Sequence, residues 1–216
     1  MHIPDGFLDP ATAALTYLLM LGYGGYALRK VKRSLNAEAT SLVAVLAAAI
    51  FAAQMLNWPL PGGTSLHFVG GALAAILLGP WLGFVAMFLV LFVQCVVFHD
   101  GGITALGANV LNMAIIACLV GYLTYRSALK LLKRGDAARL LGSFLGGWLS
   151  ITLAGLACGL EIGYSPAFPY GVAVTVPIMA GWHAALGAIE GVITALVTLY
   201  VARKAPDLIA LEAGWA

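Results

Sequence analysis

The sequence predicts an all-α membrane protein of seven transmembrane helices, with its N-terminus outside and its C-terminus in the cytoplasm. Three observations predict it. Of 216 residues, 62% are hydrophobic and only 9% charged, against about 25% charged in a soluble domain. A water-soluble fold of this size cannot hide so much apolar side chain, so lipid must be part of its solvent. Apolar stretches near the length of about 20 residues that a membrane helix needs recur along the chain. All eleven lysines and arginines fall in three clusters, and their placement decides the number of crossings.

The apolar stretches run Ala11–Leu28, Ser41–Trp58, Phe68–Gly79, Trp81–Phe98, Ile103–Tyr125, Leu140–Ile162 and Val172–Ala202. Taken as one helix, Phe68–Phe98 would far exceed a hydrocarbon core of about 30 Å at about 1.5 Å per residue, so Pro80 is read as a division. Arg29, Lys30, Lys32 and Arg33 follow the first span. Arg126, Lys130, Lys133, Arg134 and Arg139 follow the fifth, and Arg203 and Lys204 the last. Seven crossings put every cluster on one side, the cytoplasm by the bias of basic loops. Six would put the middle cluster outside. No basic run suggests nucleic acid. Small residues at four-residue spacing, Gly142 and Gly146, Gly155, Gly159 and Gly163, and Gly187 and Gly191, are read as helix-packing faces, with a face for a partner subunit as the alternative. Cys95, Cys118 and Cys158 lie inside apolar stretches without metal-site spacing and are read as packing. No linker divides the chain, so residues 1–216 are read as one transmembrane domain.

This topology places the N-terminal peptide, the Pro59–His67 loop, the His99–Gly102 turn and the Tyr164–Gly171 loop on the outer side. The third span is short, so the loop before it is expected to dip into the protein, where only a covering of protein makes irregular backbone tolerable. His67 closes that loop.

The first residues, MHIPDGFLDP, lack the basic start and apolar run of a signal peptide. Methionine is removed efficiently only before small residues, so the chain is expected to begin with a free amine on Met1. An amine followed by histidine is a chelator by geometry. The Met1 amine, the His2 amide nitrogen and the His2 imidazole close two fused rings around a cation. Displacing the amide proton suits ions that favour planar nitrogen fields, Cu(II) and Ni(II) above others. Pro4 has no N–H to compete. A histidine from elsewhere would fill the fourth position, and His67 is the best-placed candidate. Amine and imidazole must lose protons first, so binding is expected to weaken below about pH 7.

Other polar residues have two readings each. His99 and Asp100 are a polar turn or a support behind the cation. Asp5 is a turn former before Gly6 or a partial counter-charge. Asn109 and Asn112 are expected to hydrogen-bond the Pro59–His67 loop, and Asn109 is also read, with His99 and Asp5, as a support behind the cation. His183 and Glu190, seven residues apart and so on nearly one helix face, serve pairing in the bundle, a subunit contact or ion handling. The hydrolase, zinc-protease and phosphate-loop motifs GxSxG, HExxH and GxxxxGK[ST] do not occur, so the chain itself is not expected to hydrolyse ATP or act as an enzyme.

MHIPDGFL at the start, GGTSLH ending at His67, HDGGITALGAN over His99–Asn109 and GWHAALGAIEG over Gly181–Gly191 resemble the CbiM/NikM family, the substrate-binding S components of energy-coupling factor (ECF) transporters for cobalt and nickel. The resemblance spans nearly the whole chain. It implies seven helices with an extra one at the N-terminus. It also implies a metal-chelating peptide over residues 1–9, with Ni(II) or Co(II) held by the Met1 amine, the backbone and side-chain nitrogens of His2, and His67. No catalytic cofactor is implied. The expected partners are a transmembrane T component, two ABC-type ATPase subunits and a small accessory membrane protein, in the cell membrane of a prokaryote. The chain stops soon after its last span, so no fused extra component is expected. Two other readings stand beside this one. A proton-coupled secondary carrier would use His183 and Glu190 as its relay. A membrane enzyme or scaffold would use His67 and His99 for a catalytic metal.

Overall fold

The computed structural model describes residues 1–32 and 37–210; Arg33, counted in the first basic cluster, lies outside the described residues. Helix α1 spans Pro10–Val31. Its start follows from local chemistry: Asp9 accepts from the amides of Ala11 and Thr12 at 3.0 and 3.1 Å, and Pro10 supplies a first turn that needs no donor. Helix α2 covers Ala37–Gln54. A two-stranded antiparallel hairpin follows, β1 Trp58–Pro59 and β2 Ser65–Leu66, with Trp58 opposite Leu66.

Helix α3, Gly71–Val97, joins the stretches read as third and fourth spans, broken at Gly79, whose φ of 78° and ψ of 167° are not helical. A β-carbon on Gly83 would lie 2.8 Å from Cα of Ala75. In a straight helix these residues would be about 12 Å apart, so the chain doubles back here. The division expected at Pro80 is present. The third stretch departs from its expected bounds: it is helical only from Gly71, and before it other helices hold the backbone, Gln54 at the Val69 carbonyl and Glu190 at the amides of Val69 and Gly70. The arm before the break is only about 12 Å long by its rise per residue, so arm and preceding loop together occupy the place assigned to that span.

The next helix begins as α4, Leu106–Val110, runs through a π-helical segment, Leu111–Ile116, and continues as α5, Ala117–Leu131. Helices α6, Asp136–Tyr164, and α7, Val172–Lys204, form the longest antiparallel pair, and a 3₁₀ turn, Pro206–Leu208, closes the described chain. Five helical stretches, Pro10–Val31, Gly71–Val97, Leu106–Leu131, Asp136–Tyr164 and Val172–Lys204, are long and apolar enough to cross a membrane, and Ala39–Gln54 is a shorter apolar helix. The small residues pack as expected: Gly147 on Gly191, Gly155 on His183 and Gly159 on Met179 bring α6 and α7 together, while Gly142 and Gly146 meet α5. At one end of this pair Asp136 binds Arg203 at 2.6 Å and Arg139 at 3.2 Å, which joins the second and third basic clusters. At the other end, between the hairpin and the turn before α4, the N-terminal peptide enters the bundle. Met1 and Ile3 are fully buried there.

Candidate metal centre

The N-terminal peptide is held at both sides of His2. The Met1 amine donates to the carbonyl of Ser65 and to Ser65 Oγ, the latter at 2.5 Å. Ile3 gives its amide to Asn109 Oδ1 at 2.8 Å, and its carbonyl accepts from Asn109 Nδ2 at 3.1 Å and from the Gly102 amide at 2.8 Å. Further along, Asp5 accepts from the amide and hydroxyl of Thr104 at 2.7 and 2.5 Å, and the Asp9 amide donates to Ser165 Oγ at 2.9 Å. Each neutral hydrogen bond contributes about 1 kcal/mol net. Together with the burial of Met1 and Ile3, the set ties down a short peptide with a free end.

The hairpin brings the second histidine. Leu60 donates its amide to Thr64 O at 2.8 Å to close the turn, which sets Ser65 against Met1 and leaves His67 just past β2. The His2 and His67 rings lie with centroids 4.6 Å apart and planes 17° from parallel. Both residues are buried, at 4% and 2% exposure. His67 Nδ1 lies 2.7 Å from Phe68 O; a carbonyl only accepts, so the proton sits on Nδ1 and the Nε2 lone pair is free. That Nε2 is buried without a hydrogen-bond partner among the described residues. His2 Nδ1 lies 2.9 Å from Asp100 Oδ1.

The electrostatics keep these nitrogens neutral. Burial lowers the Met1 amine to about 5 from its ordinary 8. Burial also lowers His2, against the raising effect of Asp100, and holds His67 well below the usual imidazole value with help from the nearby amine. Burial alone would raise Asp100, but His2 and the amine hold it below the usual carboxylate range. At neutral pH the site thus presents an uncharged amine, two uncharged imidazoles and one carboxylate. Among the described residues no three His, Cys, Asp or Glu side chains converge as a metal cluster, so a cation here would have to draw on main-chain nitrogen.

Met1, His2 and His67, singled out in the sequence, are brought together. His99 is not among them: it is exposed, with φ 56°, and its neighbour Asp100 is the member of that pair that reaches the site. Asp5 is exposed and occupied by Thr104, which makes it a brace for the peptide. Asn109 and Asn112 do not bind the Pro59–His67 loop as expected. Asn109 clasps Ile3, and Asn112 donates to Glu161 at 2.6 Å. The loop reaches Met1 through Ser65 instead, so the asparagines face the peptide and α6. The contribution of Ser65 had no sequence signal beyond its place two residues before His67. His183 and Glu190 do not meet as a relay: His183 Nδ1 lies 2.5 Å from Met179 O, whereas Glu190 binds backbone beside His67.

Residues 2–208 match the family described as cobalt uptake substrate-specific transmembrane region, CbiM. The chain belongs to the CbiM family. Among its relatives, a protein of Archaeoglobus fulgidus named putative fused nickel transport protein NikMN is 55% identical over 213 residues, 99% of this chain and 69% of that one. A putative metal transport protein of Haloquadratum walsbyi is 51% identical, over 97% of this chain and 93% of that one. A cobalt transport protein CbiM of Sorangium cellulosum is 31% identical, over 97% and 94%. A solved structure described as a truncated transition metal transporter superposes with a TM-score of 0.89 at 40% identity, covering 94% of this chain and 99% of that one. CbiM proteins are metal-transport components, so this chain is grouped with transport subunits and not with enzymes.

Proposed function

We propose that this CbiM protein captures Ni(II) or Co(II) at the outer face of a prokaryotic cell membrane, as the substrate-specific subunit of an ATP-driven ECF-type uptake transporter. One observation carries the reading: a buried, neutral amine, His2 and the free Nε2 of His67 meet in one place, although sixty-five residues of sequence separate the two histidines. The donors are the Met1 amine, the His2 amide and Nδ1, and His67 Nε2. Binding requires His2 Nδ1 to leave Asp100, whose charge then stays beside the cation. Planar nitrogen favours Ni(II) over Co(II), so nickel is the preferred cargo. The chain acts as one domain over residues 1–216 with seven crossings, the N-terminus outside and the C-terminus inside. The arm Gly71–Leu78 and the loop before it make the third crossing. Without a phosphate-binding loop of its own, it depends on partner ATPase subunits, a transmembrane T component and a small accessory membrane protein. The separate engagements of His183 and Glu190 speak against a proton relay and so against a secondary carrier.

Inserting one glycine between Met1 and His2 tests the site. The insertion changes the chelate-ring sizes and touches no helix. Equilibrium titration of the purified protein with Ni(II) is expected to show affinity lowered more than about 100-fold, about 2.8 kcal/mol, with the helical fold retained. His67→Ala is expected to weaken binding less, since water can fill one position. Unchanged affinity in the insertion variant would reject the assignment.

A further inference from the structure

The geometry points to Glu190 of α7 as the positioning residue for His67. This rests on the metal-capture reading and adds to it the element that holds the fourth nitrogen in place. The Glu190 carboxylate accepts from the Val69 amide at 2.7 Å and from the Gly70 amide at 3.0 Å. Both donors belong to the entry of α3, where amides have no partner within the helix. Gly70, the residue before the helix, has φ 80° and no side chain with which to cap it. Glu190 reaches across from another helix to do so, and it is 2% exposed. On the other side of the same residue, Gln54 at the end of α2 donates Nε2 to Val69 O at 2.5 Å. Two helices thus grip both polar groups of Val69, two residues beyond His67.

These hydrogen bonds matter because packing does not confine the segment on all sides. A crevice of about 680 Å³, walled by apolar side chains such as Trp58, Leu60, Trp182 and Ile189, runs alongside His67 and Phe68 and reaches Glu190. If the grip on Val69 opens, the segment has room to move and His67 leaves its place over His2. Glu190 itself touches no metal donor. It acts through the backbone that carries His67, and a displacement of α7 is transmitted to the cation by the same path.

The test compares the full-length wild type, Glu190→Gln, His67→Ala and the double variant, by equilibrium titration with Ni(II) and by the visible absorption of the bound Ni(II). The glutamine keeps the volume but places an NH₂ donor against the donor amides. Glu190→Gln is expected to lower affinity by about 10- to 100-fold, the usual effect of losing a residue that orients a ligand, and to shift the absorption band to that of His67→Ala. The double variant is expected to bind no more weakly than His67→Ala alone, because both changes remove the same ligand. A wild-type band and affinity in Glu190→Gln overturn the proposal, as does a loss that adds in full to that of His67→Ala. Should Glu190→Gln not fold, Gln54→Leu removes the opposite grip and is expected to shift the band in the same direction; a wild-type band there overturns the proposal. Blocking the Met1 amine separates the two levels of argument. If blocking leaves binding intact, the metal-capture reading fails. If blocking abolishes binding while Glu190→Gln has no effect, only the role of Glu190 fails.

Discussion

At the scale of single residues, the proposed role of the Met1 amine predicts a break in how binding responds to acid. A free amine in water holds its proton to about pH 8 and would compete with a cation throughout the physiological range. Burial against Ser65 lowers that value to about 5, and the two imidazoles shift in the same direction. The sign follows directly. Above about 5 the amine carries no proton to displace, and below it every binding event must expel one. Loss of the His2 amide proton makes affinity rise about tenfold per pH unit at any pH, and below about pH 5 the amine steepens that slope. Dissociation constants for Ni(II) measured from pH 4 to 8 are therefore expected to show a break near 5. A break near 8 would mean that the amine is exposed to water. The proton competition at amine and imidazoles that the sequence places near pH 7 is shifted downward, because the peptide is buried against Ser65, Asn109 and Cys158, whose Sγ lies 3.7 Å from Met1 O, all far away along the chain.

At the scale of elements, α3 shows how a fold-back is built. Gly79 takes a backbone conformation that L side chains rarely adopt, Pro80 cannot continue the preceding hydrogen bonds, and Gly83 lets the second arm lie directly on Ala74 and Ala75. Gly83→Ala is expected to destabilise the protein by about 1–3 kcal/mol, the usual cost of overpacking, because its methyl would meet backbone that cannot rotate away. Thermal unfolding in detergent should register a melting temperature lower by several degrees; an unchanged value would mean that the arms are not in contact. The hairpin β1–β2 works differently. It is too short to be stable alone, and it is held by Leu60–Thr64, by the sulfur of Met179 against Thr64 at 3.4 Å and by Met1 itself. The loop and the peptide therefore order each other, which makes the proposed metal centre a product of two segments that neither contains alone.

At the scale of the whole molecule, orientation is the quantity to test. Tyr170, 46% exposed, lies in the loop between α6 and α7, and Lys204 is exposed at the far end of α7. The three native cysteines are buried and free, so they react slowly with thiol reagents and need no removal. In intact cells a membrane-impermeant maleimide is expected to label Tyr170→Cys and to label Lys204→Cys only after permeabilisation. Labelling of both from the same side would overturn the proposed topology.

The sequence by itself determined that this is a helical membrane protein, where its apolar stretches lie, that the chain divides at Pro80, and that Met1, His2 and His67 are the candidates for one proposed site. Composition and charge placement report on the solvent around a chain, and a chelate between adjacent residues is local chemistry, so both are legible without a fold. Only the tertiary structure decided that Asp100 rather than His99 reaches the site, that Asn109 clasps Ile3, that Asn112 turns to Glu161 and that Glu190 caps α3 beside His67. These are choices among partners tens of residues apart. No local rule of spacing makes them, because a buried polar group takes whichever partner packing brings within about 3 Å.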